Sequence, residues 1–126
     1  MKTCIFILSI MYLSCDSSTE DNLIEIVTAK SPVYSFTVIS KTSNRVSFNA
    51  KASWHNGCGR FSRFTSSIKD SSFLITVYGG QVKDAMCTQA FIQFDAPIDI
   101  DITKSGKYSF KFWSSDSTTV DTVITF

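Results

Sequence analysis

The chain has 126 residues, of which 44% are hydrophobic and 18% charged, with 12 Lys and Arg set against 11 Asp and Glu. That length supplies one core and too little chain for two ordinary domains. The near balance of charge leaves no net field to gather nucleic acid or anionic lipid, so nucleic acid is not expected as a partner.

Taken from the N-terminus, the first segment carries Lys2 and then an apolar run from Cys4 to Leu13. The run is about half the roughly 20 residues that a membrane-spanning helix requires, so residues 1–14 read as a processing signal. Leu13-Ser14-Cys15 resembles the lipobox of bacterial lipoproteins, with Tyr12 where leucine is commonest. The resemblance implies cleavage ahead of Cys15, acylation of that cysteine with palmitate among the chains, and attachment to the membrane through the lipid alone. Several chains, at roughly 0.8 kcal/mol per buried CH₂, hold far more firmly than one. A plain secretory signal with an incidental cysteine is the alternative reading.

Residues 15–22 continue as Asp16-Ser17-Ser18-Thr19-Glu20-Asp21-Asn22, polar, acidic and without aromatics. Such a stretch cannot bury enough surface to offset its ordering entropy, and it reads as a flexible tether. Acidic residues just after a lipidated cysteine resemble the export tether of surface lipoproteins in the Bacteroidota, which implies an outer-membrane and surface-exposed location. An ordinary solvated linker is the alternative.

Residues 23–126 form the expected domain. Its hydrophobic period is two: Val46, Phe48, Ala50, Ala52 and Trp54 alternate with Ser47, Asn49, Lys51 and Ser53, and Ile98, Ile100 and Ile102 with Asp99, Asp101 and Thr103. Tyr108, Phe110 and Phe112 alternate likewise with Ser109 and Lys111. Further strands are expected at Ile24–Thr28, Tyr34–Ser40, Phe73–Tyr78, Ala90–Phe94 and Thr119–Phe126, where β-branched and aromatic residues concentrate. Turn chemistry separates them at Ser31-Pro32, Thr42-Ser43-Asn44, Asn56-Gly57, Lys69 to Ser72, Gly79-Gly80, Ala96-Pro97, Lys104-Ser105-Gly106 and Ser114 to Ser117. About eight short strands in one domain argue an all-β, antiparallel, Greek-key sandwich.

With Cys4 leaving in the signal and Cys15 acylated, Cys58 and Cys87 remain as a pair in an exported domain. A disulfide between them is the natural inference. A metal site would want more ligands than two thiols and the lone His55, and the pair lacks C-x-x-C spacing.

Ser105-Gly106-Lys107-Tyr108-Ser109-Phe110 resembles the G-x-Y segment that opens the penultimate strand of immunoglobulin-like domains. That resemblance implies a tyrosine corner, with the Tyr108 hydroxyl bonded to nearby backbone. Antibody domains carry a cysteine two residues later, where this chain has Phe110, so any bridge must staple a different pair of segments. The set Gly57-Cys58-Gly59, Val77-Tyr78-Gly79, Cys87 to Ala90 and Gly106-Lys107-Tyr108 also resembles small bacterial secreted proteins with immunoglobulin-like folds. The likeness implies a fold of about seven or eight strands and adds almost nothing about function.

Catalytic groups are sparse. His55 stands near Cys58, but an oxidised Cys58 has no thiolate to attack with. Asp99 and Asp101, with Asp95 nearby, read as the wet face of one strand more readily than as part of a calcium site or a glycosidase pair. No enzyme, cofactor or metal is therefore expected. Binding has more support. Trp54, Tyr78 and Trp113 each sit at a strand end, where an aromatic edge could stay in water, although a lid on the core is the plainer role for any one of them. Arg60 and Arg63 interleave with Phe61 and Phe64 in a segment that is either a recognition loop or an irregular edge strand. The expectation is a lipid-anchored envelope protein that acts by noncovalent binding as an accessory or recognition subunit, with envelope proteins or surface glycans as partners. Surface carbohydrate capture is the alternative, and an envelope enzyme or protease inhibitor is a more distant one.

Overall fold

The computed structural model describes residues 24–126, and the expected signal, Cys15 and tether lie outside them. Eight strands follow one another: β1 (Ile26–Lys30), β2 (Val33–Lys41), β3 (Arg45–Trp54), β4 (Arg60–Lys69), β5 (Ser72–Val82), β6 (Ile92–Asp101), β7 (Lys107–Ser115) and β8 (Thr118–Thr125). They form a three-stranded sheet in the order β2-β3-β6 and a five-stranded sheet built around β5. The two layers make a β-sandwich.

Alternation in the sequence becomes alternation in burial. Val46, Phe48, Ala50, Ala52 and Trp54 of β3 are buried, as are Phe73, Ile75 and Val77 of β5 and Tyr108, Phe110 and Phe112 of β7. An aromatic column ties the layers together. Phe73 stacks on Phe110 at 5.2 Å, Phe110 meets Phe48 at 5.2 Å, Phe48 meets Phe112 edge-on at 5.2 Å, and Phe112 stacks on Phe36 at 4.9 Å. Such pairs add to the area they bury because ring edges and faces carry opposite partial charge.

Strand β5 is the hub of its sheet. One side pairs with β4 along the whole hairpin from Arg60↔Gly80 to Lys69↔Ser72. The other side is shared: Tyr78 to Val82 pair antiparallel with β1, and Ser72 to Ile75 pair parallel with Ser109 to Phe112 of β7. This parallel pairing departs from the purely antiparallel sandwich expected. The chain reaches β7 from β6 in the opposite sheet, and such a crossover leaves strand direction unconstrained, whereas a tight hairpin would impose the antiparallel sense.

Two expected breaks are absent, and one open alternative is decided. Gly79-Gly80 is not a turn: both residues lie inside β5, held by Ala29 and Thr28 on one side and Phe61 and Arg60 on the other. Ala96-Pro97 is not a break either, and the strands expected before and after it are the single strand β6. Strand β6 is the outer strand of its sheet, so one side needs no ladder and a missing N–H is tolerated there. Arg60 to Lys69 is an edge strand, with a register shift between Phe61 and Arg63. The Lys69 to Ser72 turn stands as expected, a hairpin with Asp70 and Ser71 at positive φ. The expected tyrosine corner is present: the Tyr108 hydroxyl donates to the Lys104 carbonyl at 2.7 Å.

Candidate binding surface

The residues expected at strand ends separate into two groups. Trp54 belongs to the interior. It is only 4% exposed, so of its two readings the lid on the core holds and the solvent-facing platform does not. The reason is a pair of glycines. A Cβ at Gly59 would stand 2.1 Å from Trp54 Cγ, and one at Gly79 would stand 2.7 Å from Trp54 Cε3, so the indole fills space that only glycines leave. Its Nε1–H donates to Gln81 Oε1 at 2.7 Å, and Asn56 Nδ2 donates to the same oxygen at 2.9 Å. Asn56 Oδ1 in turn accepts from the Cys58 backbone N–H at 2.9 Å.

Cys58 and Cys87 form the expected disulfide, with Cα atoms 5.4 Å apart. A backbone bond from Gly57 N–H to the Thr88 carbonyl, 3.0 Å long, runs beside it. The bridge therefore ties the β3–β4 connection to the β5–β6 connection. The Cys58 sulfur is bonded to Cys87 and the His55 ring packs on Trp54 at 5.0 Å, so the two do not form a nucleophile and base.

Arg63, Tyr78 and Trp113, by contrast, come together on the outer face of the five-stranded sheet. Arg63 of β4 is the register partner of Tyr78 of β5, and Tyr78 is the partner of Lys30 of β1. The Arg63 guanidinium lies 3.9 Å from the centroid of the Tyr78 ring, and Lys30 Nζ lies 5.2 Å from that of Trp113. Four residues from four strands thus form one row, Arg63–Tyr78–Lys30–Trp113, in which cation and ring alternate. Each ring attracts its cation through the negative potential of its face. Sequence reasoning missed Lys30. Its only local signal is that Thr28 and Lys30 share the polar side of β1, and its neighbours are distant in the chain.

Two grooves flank this row along β5. One, of about 230 Å³, lies where Gly80 leaves a gap and is lined by Ile26, Val82 and Arg60 among others. The other, of about 430 Å³, lies at the opposite end of β5 and includes Leu74, Lys69, Lys111 and the acid Asp70. Alternation from the registers places Lys30, Arg60, Arg63, Lys69, Lys107 and Lys111 on this face, against Asp121. The four ion pairs among the described residues lie elsewhere, on Arg45, Lys51 and Lys83.

The outer face of the three-stranded sheet has the opposite character. Asp99 and Asp101 both approach Arg45, at 3.5 and 3.7 Å, and Asp99 accepts from the Ser47 hydroxyl at 2.5 Å. Hydrogen bonds from Lys51 and Asn49, and the charge of Lys51, hold the Asp95 carboxyl below its ordinary range. These carboxylates are matched locally by partners on the neighbouring strand.

Fold and surface together define a disulfide-stapled β-sandwich whose larger sheet presents a row of cations laid on aromatic rings. The chain belongs to the ORF11 beta-sandwich domain family, whose model matches residues 48–123. The matched segment runs from β3 into β8 and holds Arg60, Arg63, Tyr78 and Trp113, while Lys30 lies outside it. Searches of curated proteins and of solved structures return no match.

Proposed function

We propose that this chain is a lipid-anchored protein of the bacterial cell envelope that acts by noncovalent binding, as an accessory or recognition subunit. Cys15 carries the lipid, the acidic segment that follows is the tether, and the sandwich is held at the outer membrane, on its outer surface. The observation that carries the reading of a binding subunit is the row Arg63–Tyr78–Lys30–Trp113. Cations with no carboxylate of the described residues within ion-pair distance, steadied on rings across four strands, support a surface whose partner supplies negative charge. Surface glycans are the second reading, favoured by the two grooves, where apolar side chains lie beside Arg60 in one and beside Lys69, Lys111 and Asp70 in the other.

The test is crosslinking of intact cells that express the tagged full chain, followed by mass spectrometry of what co-purifies, with Cys15→Ala and Arg63→Gln as controls. The expected result is an envelope component captured by the native chain, lost on release from the membrane in Cys15→Ala and reduced in Arg63→Gln. Equal capture by all three chains would sink both the anchor and the face.

A further inference from the structure

We infer that the ligand of the five-stranded face is a linear anionic polysaccharide, lying along β5 with its carboxylate or sulfate groups against Arg60, Arg63, Lys30 and Lys111. The inference rests on the reading of this face as the binding surface and names the chemistry of its partner. Three features along β5 argue for it. The Arg60 groove, the cation–aromatic row and the Lys69–Lys111 groove follow one another along a single strand, so a chain laid on β5 meets all three. Strand β5 has 11 residues, a path of about 35 Å, which suits an extended polymer better than a small ligand.

The second feature is charge complementarity. Six cations face outward against Asp121, with Asp70 on the rim of the Lys69–Lys111 groove, and none of the four ion pairs among the described residues engages a cation of this face, so the face keeps an excess of positive charge for a polyanion. Arg63 rests its guanidinium on Tyr78, which limits its rotamers and leaves N–H donors at the edge of the fork for bidentate contact with a carboxylate or sulfate.

The third feature separates a glycan from other polyanions. Nucleic acid presents one phosphate per strand about every 3.4 Å of duplex axis, and single strands bind by stacking bases on open aromatic faces. Here the Tyr78 face is already covered by Arg63, and Lys30 stands over Trp113. The apolar side chains Ile26, Val82 and Leu74 line grooves, where the C–H faces of sugar rings can pack between sparser charges. A charged membrane would meet this face without using the grooves.

The experiment uses the full chain purified as its host processes it. Binding is measured by biolayer interferometry to chondroitin sulfate, polygalacturonate and neutral dextran, with single-stranded DNA and phosphatidylglycerol vesicles as competing probes. The expected result is binding to at least one of the two anionic glycans, weakening as salt is raised, with none to dextran. Arg63→Gln combined with Lys30→Gln should weaken it about tenfold, the scale expected when two anchoring groups are lost, while Lys51→Gln on the opposite sheet leaves it unchanged. A melting temperature for each variant shows that the fold persists. Silence towards both anionic glycans, an unaltered affinity in the double variant, or tighter binding to DNA or vesicles overturns the inference. If the glycans are silent while crosslinking still captures an envelope protein through Arg63, the inference falls and the binding-subunit reading stands; if both fail, both fall.

Discussion

Tyr108 reaches back four residues to place its hydroxyl 2.7 Å from the Lys104 carbonyl, while its ring stays buried against Phe73 at 5.7 Å. One side chain therefore closes the entry to β7 and fills the end of the core. Tyr108→Phe keeps the ring and removes the hydrogen bond, leaving a partly buried carbonyl without that donor. The expected loss of stability is about 1 kcal/mol, read from urea denaturation at an unchanged m-value.

The Cys58–Cys87 bridge spans 29 residues and joins the β3–β4 connection to the β5–β6 connection. The chain-entropy relation for that span gives about 3.5 kcal/mol. Replacing both cysteines by alanine is expected to lower the unfolding free energy by that order and the denaturation midpoint with it. Reductant should move the native chain towards the double variant and leave the variant unmoved. A midpoint insensitive to reductant would show that the staple does not limit the unfolded chain.

Gly79 sits against the face of Trp54, and a methyl group there would also stand 2.6 Å from the Ser31 hydroxyl oxygen. Both neighbours are themselves buried and hydrogen-bonded, so neither can withdraw freely. Gly79→Ala is expected to destabilise by about 1–3 kcal/mol through overpacking, with a change in the near-ultraviolet circular dichroism of the indole. An alanine variant as stable as the native chain would mean that Trp54 has room to move.

Asp95 is exposed, and the hydrogen bond from Lys51, then that from Asn49, then the charge of Lys51 lower its pKa from the ordinary 3.8. A carboxyl depressed in the folded state stabilises the fold above its unfolded value, and that contribution disappears as pH falls through the folded value. The window therefore lies at and below 3.8. Carboxyl carbon shifts followed by NMR should show Asp95 titrating below that value in the native chain. In Lys51→Gln the midpoint should move upward, and no movement would assign the shift to some other group.

Much of the architecture is written locally. A period of two over β3, β6 and β7 determines which side chains face inward, because adjacent residues of an extended chain point to opposite sides. The G-x-Y segment marks the tyrosine corner, whose two partners lie within five residues. Setting aside Cys4 and Cys15 of the expected signal and lipobox leaves Cys58 and Cys87 as the pair to join. Where local signals misled, a long-range partner had overridden them. Gly79-Gly80 reads as a turn until β1 and β4 are seen to grip it from both sides, and Pro97 reads as a break until β6 proves to be an outer strand. Trp54 reads either as a lid on the core or as an aromatic edge left in water until two glycines, five and 25 residues away, are found to enclose it.

Sequence alone thus determined the all-β class, the inward faces, the corner and the staple, since each rests on alternation, a short motif or a residue pair. Tertiary structure decided which strands lie side by side. Lys30 stands between Tyr78 and Trp113 only because β5 divides one edge between β1 and β7, and that division depends on contacts across most of the chain. Period and propensity act between near neighbours, whereas strand order is set by how the whole core closes, and the candidate surface is a product of strand order.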